Sequence, residues 1–327
     1  MAVPHRKETE EILFPSLIPY VLYRIYAISE VTNVQGKEKQ IENYPISSTF
    51  TPYLYILPSL FLFGVFVFYP FIKTIFLGFN MTDSTGNAIK WIGFDNYTKL
   101  FGSKDFWFSL KITLQYAVIV VIGSIIMGVL CAIIANEKFR GRALVRTFFA
   151  MPMAVSSACI AVIATFILNP TMGLLNTVLG LDIKWLKSIH YALPSVAIVT
   201  IWMNIGLNFI FSIAALQNVD PSLYEAGEIA GTNFFQKHWY ITLPSISPML
   251  FFLLIINTLN SFQAFAQIRL MTMGGPGKFT QVIIYLIYRE AFDYGRYGSA
   301  ASMSVVLFLI MFVFTAIQFK VEKKVTY

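Results

Sequence analysis

Six long apolar runs carry no Asp or Glu at all, although the chain holds 17 acids. The runs lie near residues 54–79, 112–136, 147–168, 192–216, 246–268 and 299–319. A hydrocarbon core about 30 Å thick needs roughly 20 helical residues to cross it. Each run meets that length. A charge inside such a segment is costly, and among the Lys and Arg only Lys73 falls well within a run, near an end where its amine can reach the headgroups. Backbone polar groups cannot be left bare in lipid, and porin-like alternation is absent, so the runs predict helices. The expected fold is therefore all-α, a polytopic membrane protein with six transmembrane helices. Composition agrees: 57% of the residues are hydrophobic and 13% charged, against about 25% charged in ordinary soluble domains. Disordered chains, nucleic-acid binders and secreted disulfide scaffolds are excluded. Cys131 and Cys159 sit inside apolar runs and read as small hydrophobes.

The net charge of +7 fits Lys and Arg held on the cytoplasmic side of a bilayer. The cluster Lys138–Arg142 and the tail Lys320–Lys324 are the best anchors, and they predict cytoplasmic N- and C-termini. Residues 1–52 differ in character from the rest. The stretch 12–28 is apolar but carries Pro15, Pro19 and Arg24, so an interfacial helix is expected there, with a seventh span as the alternative. Residues 53–327 form the membrane domain.

The segment Asp220–Pro244 lies between the fourth and fifth runs. Asp220 followed by Pro221 is a helix start, an N-cap side chain and then a residue whose missing N–H costs nothing. Gly231 can stop that helix in a left-handed conformation. Asn233 and Gln236 have capping-box spacing for a second short helix. Leu223, Ala226, Gly227 and Ala230 make one nearly flat face, with Glu225 and Glu228 off that stripe. Such a hairpin can pack on its own bundle or insert into a partner's groove.

Two runs carry neutral polar residues. Thr200, Asn204 and Asn208 recur at four-residue spacing, and Asn257, Asn260, Ser261 and Ala264 share a helical face. Amides and hydroxyls there can bind a polyol or sugar, or they can glue helices together. The stretch Gly274-Gly275-Pro276-Gly277-Lys278 fails as a phosphate loop, because Thr272 stands where the first glycine belongs and Phe279 follows the lysine. His5, His190 and His238 are isolated, so no metal site is expected.

Glu225-Ala226-Gly227, Gly231, and Ile241-Thr242-Leu243-Pro244 resemble the coupling loop of ABC-importer permeases. That pattern has Glu-Ala-Ala, a glycine six residues after the Glu, and Ile-x-Leu-Pro ten residues beyond the glycine. Gly227 replaces the usual third Ala, and Ala230 stands where an Asp is usual. Further similar pieces are Leu57-Pro58-Ser59, Phe166–Pro170, Ala214–Gln217, Gly274–Pro276 and Ile287–Glu290, so most of residues 53–327 are covered. The chain looks like the carbohydrate-uptake, maltose-type permeases, and most like the first permease subunit of glycerol-3-phosphate importers.

The resemblance implies a type I ABC importer permease fold and a non-catalytic subunit. It implies coupling to an ATPase through Glu225, Ala226, Gly227, Glu228, Gly231, Leu243 and Pro244. It places Thr200, Met203, Asn204, Asn257 and Ser261 beside the solute path, and Asn260 shares their polar face. Gly274, Gly275 and Pro276 mark the loop expected to touch an extracytoplasmic binding protein. The implied partners are a second homologous permease, two copies of a cytoplasmic ATPase and that binding protein. ATP and Mg would be held by the ATPase, with no cofactor on this chain. An ion-coupled secondary transporter is the alternative; proton coupling would need an intramembrane Asp, Glu or His, which the six runs lack.

Overall fold

The computed structural model describes residues 51–325 except Lys138. The readings of residues 1–50, including the interfacial helix at 12–28, lie outside the described residues. Two compact units divide the chain, Met1–Tyr69 and Pro70–Tyr327. In the first, the described part is α1 (Thr51–Phe63) followed by a π-helical turn, Gly64–Phe68. Helix α2 (Tyr69–Gly78) starts at the last residue of the first unit, and its other residues belong to the second.

Four helical stretches are long and apolar enough to cross a membrane: Tyr55–Gly78, Lys104–Asn136, Ala192–Gln217 and Tyr297–Glu322. The second belongs to α4 (Lys104–Asn136), which follows the hairpin β1 (Asn80–Thr82) and β2 (Ala88–Trp91) and the short α3 (Asp95–Gly102). Two more stretches qualify only as bent pairs, raising the number to six at most. The chain is thus mainly helical with a single small hairpin among the described residues.

The third and fifth runs are not the straight helices that hydropathy predicts. In the third, α5 (Arg142–Ala150) and a 3-10 turn (Met151–Ala154) meet α6 (Ser157–Ile167) at 100°. Pro152 lies in the 3-10 turn, and Val155 is extended at ψ 136°, so the helical ladder stops there. After α7 (Leu174–Leu179) and α8 (Ala192–Gln217) come α9 (Pro221–Ile229), α10 (Phe234–Lys237), a π turn at His238–Thr242 and α11 (Leu243–Ser245). The pair Phe234–Ser245 and α12 (Ser247–Phe262) is bent by 72°. The fifth run breaks again after Phe262 and resumes only in α13 (Ala266–Met271). The stretch between the fifth and sixth runs also holds α14 (Ile283–Tyr288) and a π turn, Arg289–Asp293, before α15 (Tyr297–Val325).

Helix α4 is the centre of the second unit and packs most extensively on α8. Gly128 permits this approach: a Cβ there would stand 2.3 Å from the Asn208 Cβ. A core of Ile112, Tyr116, Val120, Val196, Ala197 and Ile268 lies between these helices and α13. At the end of α4 that carries its N-terminus, short polar contacts fasten the connecting segments. Lys278 Nζ reaches Asp105 at 2.7 Å, Gln281 Nε2 donates to Ser109 Oγ at 3.0 Å, and Ile283 N–H donates to Thr113 Oγ1 at 2.8 Å.

Candidate functional site

Two features flank α8, one beyond its C-terminus and one beside its middle turns. Beyond its C-terminus, Asp220 caps α9 by accepting from the Ser222 N–H at 2.9 Å. That bond, from the backbone first and the Ser222 hydroxyl second, holds the Asp220 carboxyl below its usual range. Gly231, at φ +73°, ends the helix, and Thr232 closes the turn by donating from N–H and Oγ1 to the Gly227 carbonyl at 3.0 and 2.9 Å. Asn233 and Gln236 then form a complete capping box. The π turn returns the chain along α9, where Tyr224 and Thr242 hydroxyls meet at 3.2 Å and Lys237 pairs with Glu228 at 3.0 Å.

One detail of the hairpin departs from expectation. Gly227 is buried, and a Cβ on it would meet Ile241 Cδ1 at 2.7 Å. It therefore belongs to the inward face with Tyr224, not to a displayed flat stripe. A stripe of small residues does not say which side its neighbour lies on. The face left exposed carries Ser222, Glu225, Ala226 and Ile229, the last 90% exposed. Leu243 is half-buried and Pro244 exposed where the hairpin joins α12.

The second feature is a hollow of about 350 Å³ where α12 breaks. Ser157, Thr200, Asn204, Asn260, Ser261 and Gln263 line it, and Ala264–Gln267 close it. The break itself makes the space, because the backbone leaves the helical path between Phe262 and Ala266. Asn260 lies about 20 Å along α12 from Ser247, at 1.5 Å per residue. Every polar side chain in the lining is a neutral amide or hydroxyl.

Thr200, Asn204, Asn260 and Ser261, picked out by sequence, are brought together here. Thr200 also accepts from the Tyr116 hydroxyl at 2.7 Å, which fixes its side chain. Asn257 and Met203 do not line the hollow. Asn257 is 1% exposed and exchanges amide hydrogen bonds with Asn208 at 2.8 and 3.1 Å, joining α12 to α8. Met203 Sδ receives Gln267 Nε2 at 3.7 Å. Ser157 was not visible to sequence reasoning, because the third run also carries Thr147, Ser156 and Thr165 and nothing in the sequence sets it apart from them. Gly274 is buried, while Gly275 and Pro276 are half-buried in a turn held by Thr280 Oγ1 donating to the Gly275 carbonyl at 2.7 Å. No cluster of three or more metal-ligating side chains occurs among the described residues.

Residues 124–327 match the family model of binding-protein-dependent transport system inner membrane components. The chain is similar to the sn-glycerol-3-phosphate transport system permease protein of Agrobacterium fabrum, 34% identical over 281 residues, covering 84% of this chain and 96% of the relative. It is equally similar to the corresponding protein of Yersinia pestis, at 34% identity, 86% of this chain and 97% of the relative. Among solved structures, a bacterial ABC transporter involved in the import of the acidic polysaccharide alginate gives a TM-score of 0.75 at 26% identity, covering 84% of this chain and 96% of that one. With its broken spans, capped hairpin and polar hollow, the chain belongs to the binding-protein-dependent transport system inner membrane components and is a permease subunit of an ABC importer.

Proposed function

We propose that this subunit forms half of the path for a carbohydrate or polyol-type solute, whether a sugar, an oligosaccharide or glycerol-3-phosphate. The hollow beside the α12 break supports this reading most strongly, because its amides and hydroxyls match the hydrogen-bonding needs of a hydroxylated solute. The names of the relatives, one for sn-glycerol-3-phosphate and one for alginate, point to the same chemistry.

In this reading a second homologous permease supplies the other half of the path. Helix α9 docks in a groove on an ATPase subunit, two of which serve the complex, with Glu225, Ala226 and the exposed Ile229 at the contact. Gly227, Glu228, Gly231, Leu243 and Pro244 hold the hairpin that carries the contact. ATP and Mg reside on the ATPase, and this chain hydrolyses nothing. Both termini lie on the cytoplasmic side, and the Gly274–Pro276 turn faces a solute-binding protein on the other. Closure of the ATPases moves the spans as rigid bodies through α9.

The test is uptake by the whole complex in vesicles. Asn204→Ala and Asn260→Ala should each lower uptake several-fold while ATPase association and heat stability stay as in wild type. Asn257→Ala should instead lower heat stability, by about 0.6–2 kcal/mol, since it orphans the Asn208 amide between two helices. Unchanged uptake in both hollow variants would overturn the assignment of the path.

A further inference from the structure

Arg289 and Arg296, which lie in the segments beyond the α12 break, each face a carboxylate, Asp293 at 3.6 Å and Glu290 at 3.7 Å. Arg269 does not. Among the described residues its guanidinium has no ion-pair or hydrogen-bond partner, although the residue is half-buried. Its contacts are two aromatic faces, Tyr288 with 4.2 Å from the guanidinium carbon to the ring centroid and Phe265 with 5.8 Å. Stacking occupies the flat faces of a guanidinium and leaves its N–H edge free. The two rings thus hold the charge in place without neutralising it. A half-buried cation kept this way favours an anion that can accept its N–H groups in a fork.

Its position ties it to the hollow. Phe265 is in the hollow wall, and its carbonyl accepts the Arg269 N–H at 2.9 Å, so the arginine sits one helical turn past the break. The hollow itself offers only uncharged polar groups. A solute with hydroxyls at one end and an anionic group at the other would satisfy both.

We infer that Arg269 is a specificity-determining residue that selects anionic polyols, phosphorylated or carboxylated, over neutral ones at the hollow. This rests on the hollow being the solute path. Asn204 and Asn260 take the hydroxyls, and Arg269 takes the phosphate or carboxylate.

The experiment uses the complete complex with its binding protein in proteoliposomes. Three radiolabelled probes are compared: sn-glycerol 3-phosphate, an alginate oligosaccharide and neutral maltose. Wild type should take up one of the two anions, and which one tells phosphate from carboxylate. Arg269→Gln should lower that uptake roughly tenfold or more, the scale of a lost charged hydrogen bond. Arg269→Cys in a Cys159→Ser background should regain uptake with cationic aminoethyl methanethiosulfonate and not with the anionic sulfonatoethyl reagent; Cys131 is buried. Uptake of maltose alone, of no anion by wild type, wild-type uptake in Arg269→Gln, or failure of the cationic reagent to restore it would each overturn the inference. Full uptake in Asn204→Ala and Asn260→Ala would instead overturn the path on which it rests.

Discussion

Glu225→Lys should abolish ATP-driven uptake while the permease inserts and folds as before. Glu225 is exposed on α9 and has no hydrogen-bond or ion-pair partner among the described residues, so its replacement leaves the bonds that hold the hairpin in place. A reversed charge at the centre of a docking face carries an interface hot-spot penalty of about 2 kcal/mol or more, roughly thirtyfold in affinity. Gly227→Leu should have the same effect by another route. Its side chain would collide with Ile241 and with Thr232 Oγ1, 3.1 Å from the first added carbon, and would lift α9 away from the π turn. Gly227→Ala is the control. The nearest atom is the end of the Ile241 side chain, which can rotate, so alanine should be nearly neutral. Uptake assays beside copurification of the ATPase measure each outcome, and wild-type uptake in Glu225→Lys would remove α9 from the coupling route.

Gly128→Leu should prevent accumulation of folded permease. The first added carbon would lie 2.3 Å from the Asn208 Cβ and 3.0 Å from its backbone carbonyl carbon. Backbone cannot swing aside as a side chain can, so α4 and α8 must separate. Overpacking of this kind costs about 1–3 kcal/mol. Separation would also strain the Asn208–Asn257 amide pair, and each orphaned buried amide costs a further ~1–3 kcal/mol. Retention of folded protein in membranes, followed by size-exclusion profile and heat stability, measures this. A wild-type profile would mean that α4 and α8 do not meet at Gly128.

Legibility followed the range of the interactions involved. Spans α4, α8 and α15 were plain because length and hydropathy suffice for a straight helix. The hairpin was plain because its determinants are local: Asp220 with Pro221, Gly231, and Asn233 with Gln236 each act within four residues. The breaks at Val155 and after Phe262 were hidden because hydropathy continues across both, and only backbone conformation shows them. The hollow was half visible. Its amides and hydroxyls were evident, but the spacing that put Asn257 beside Asn260 could not say that Asn257 turns toward Asn208. Likewise the small-residue stripe of α9 revealed a close approach without revealing that Ile241 makes it. The hairpin Asn80–Trp91 lies between the first two apolar runs, where three- and four-residue strands leave little signal.

The decisive measurement is a cross-link from α9 in the purified complex. With Ala226→Cys in a Cys159→Ser background, a short thiol–amine reagent should join this chain to the ATPase subunit, and Gly227→Cys, buried against Ile241, should not. Absence of the Ala226 adduct while the ATPase copurifies in full would contradict docking through α9.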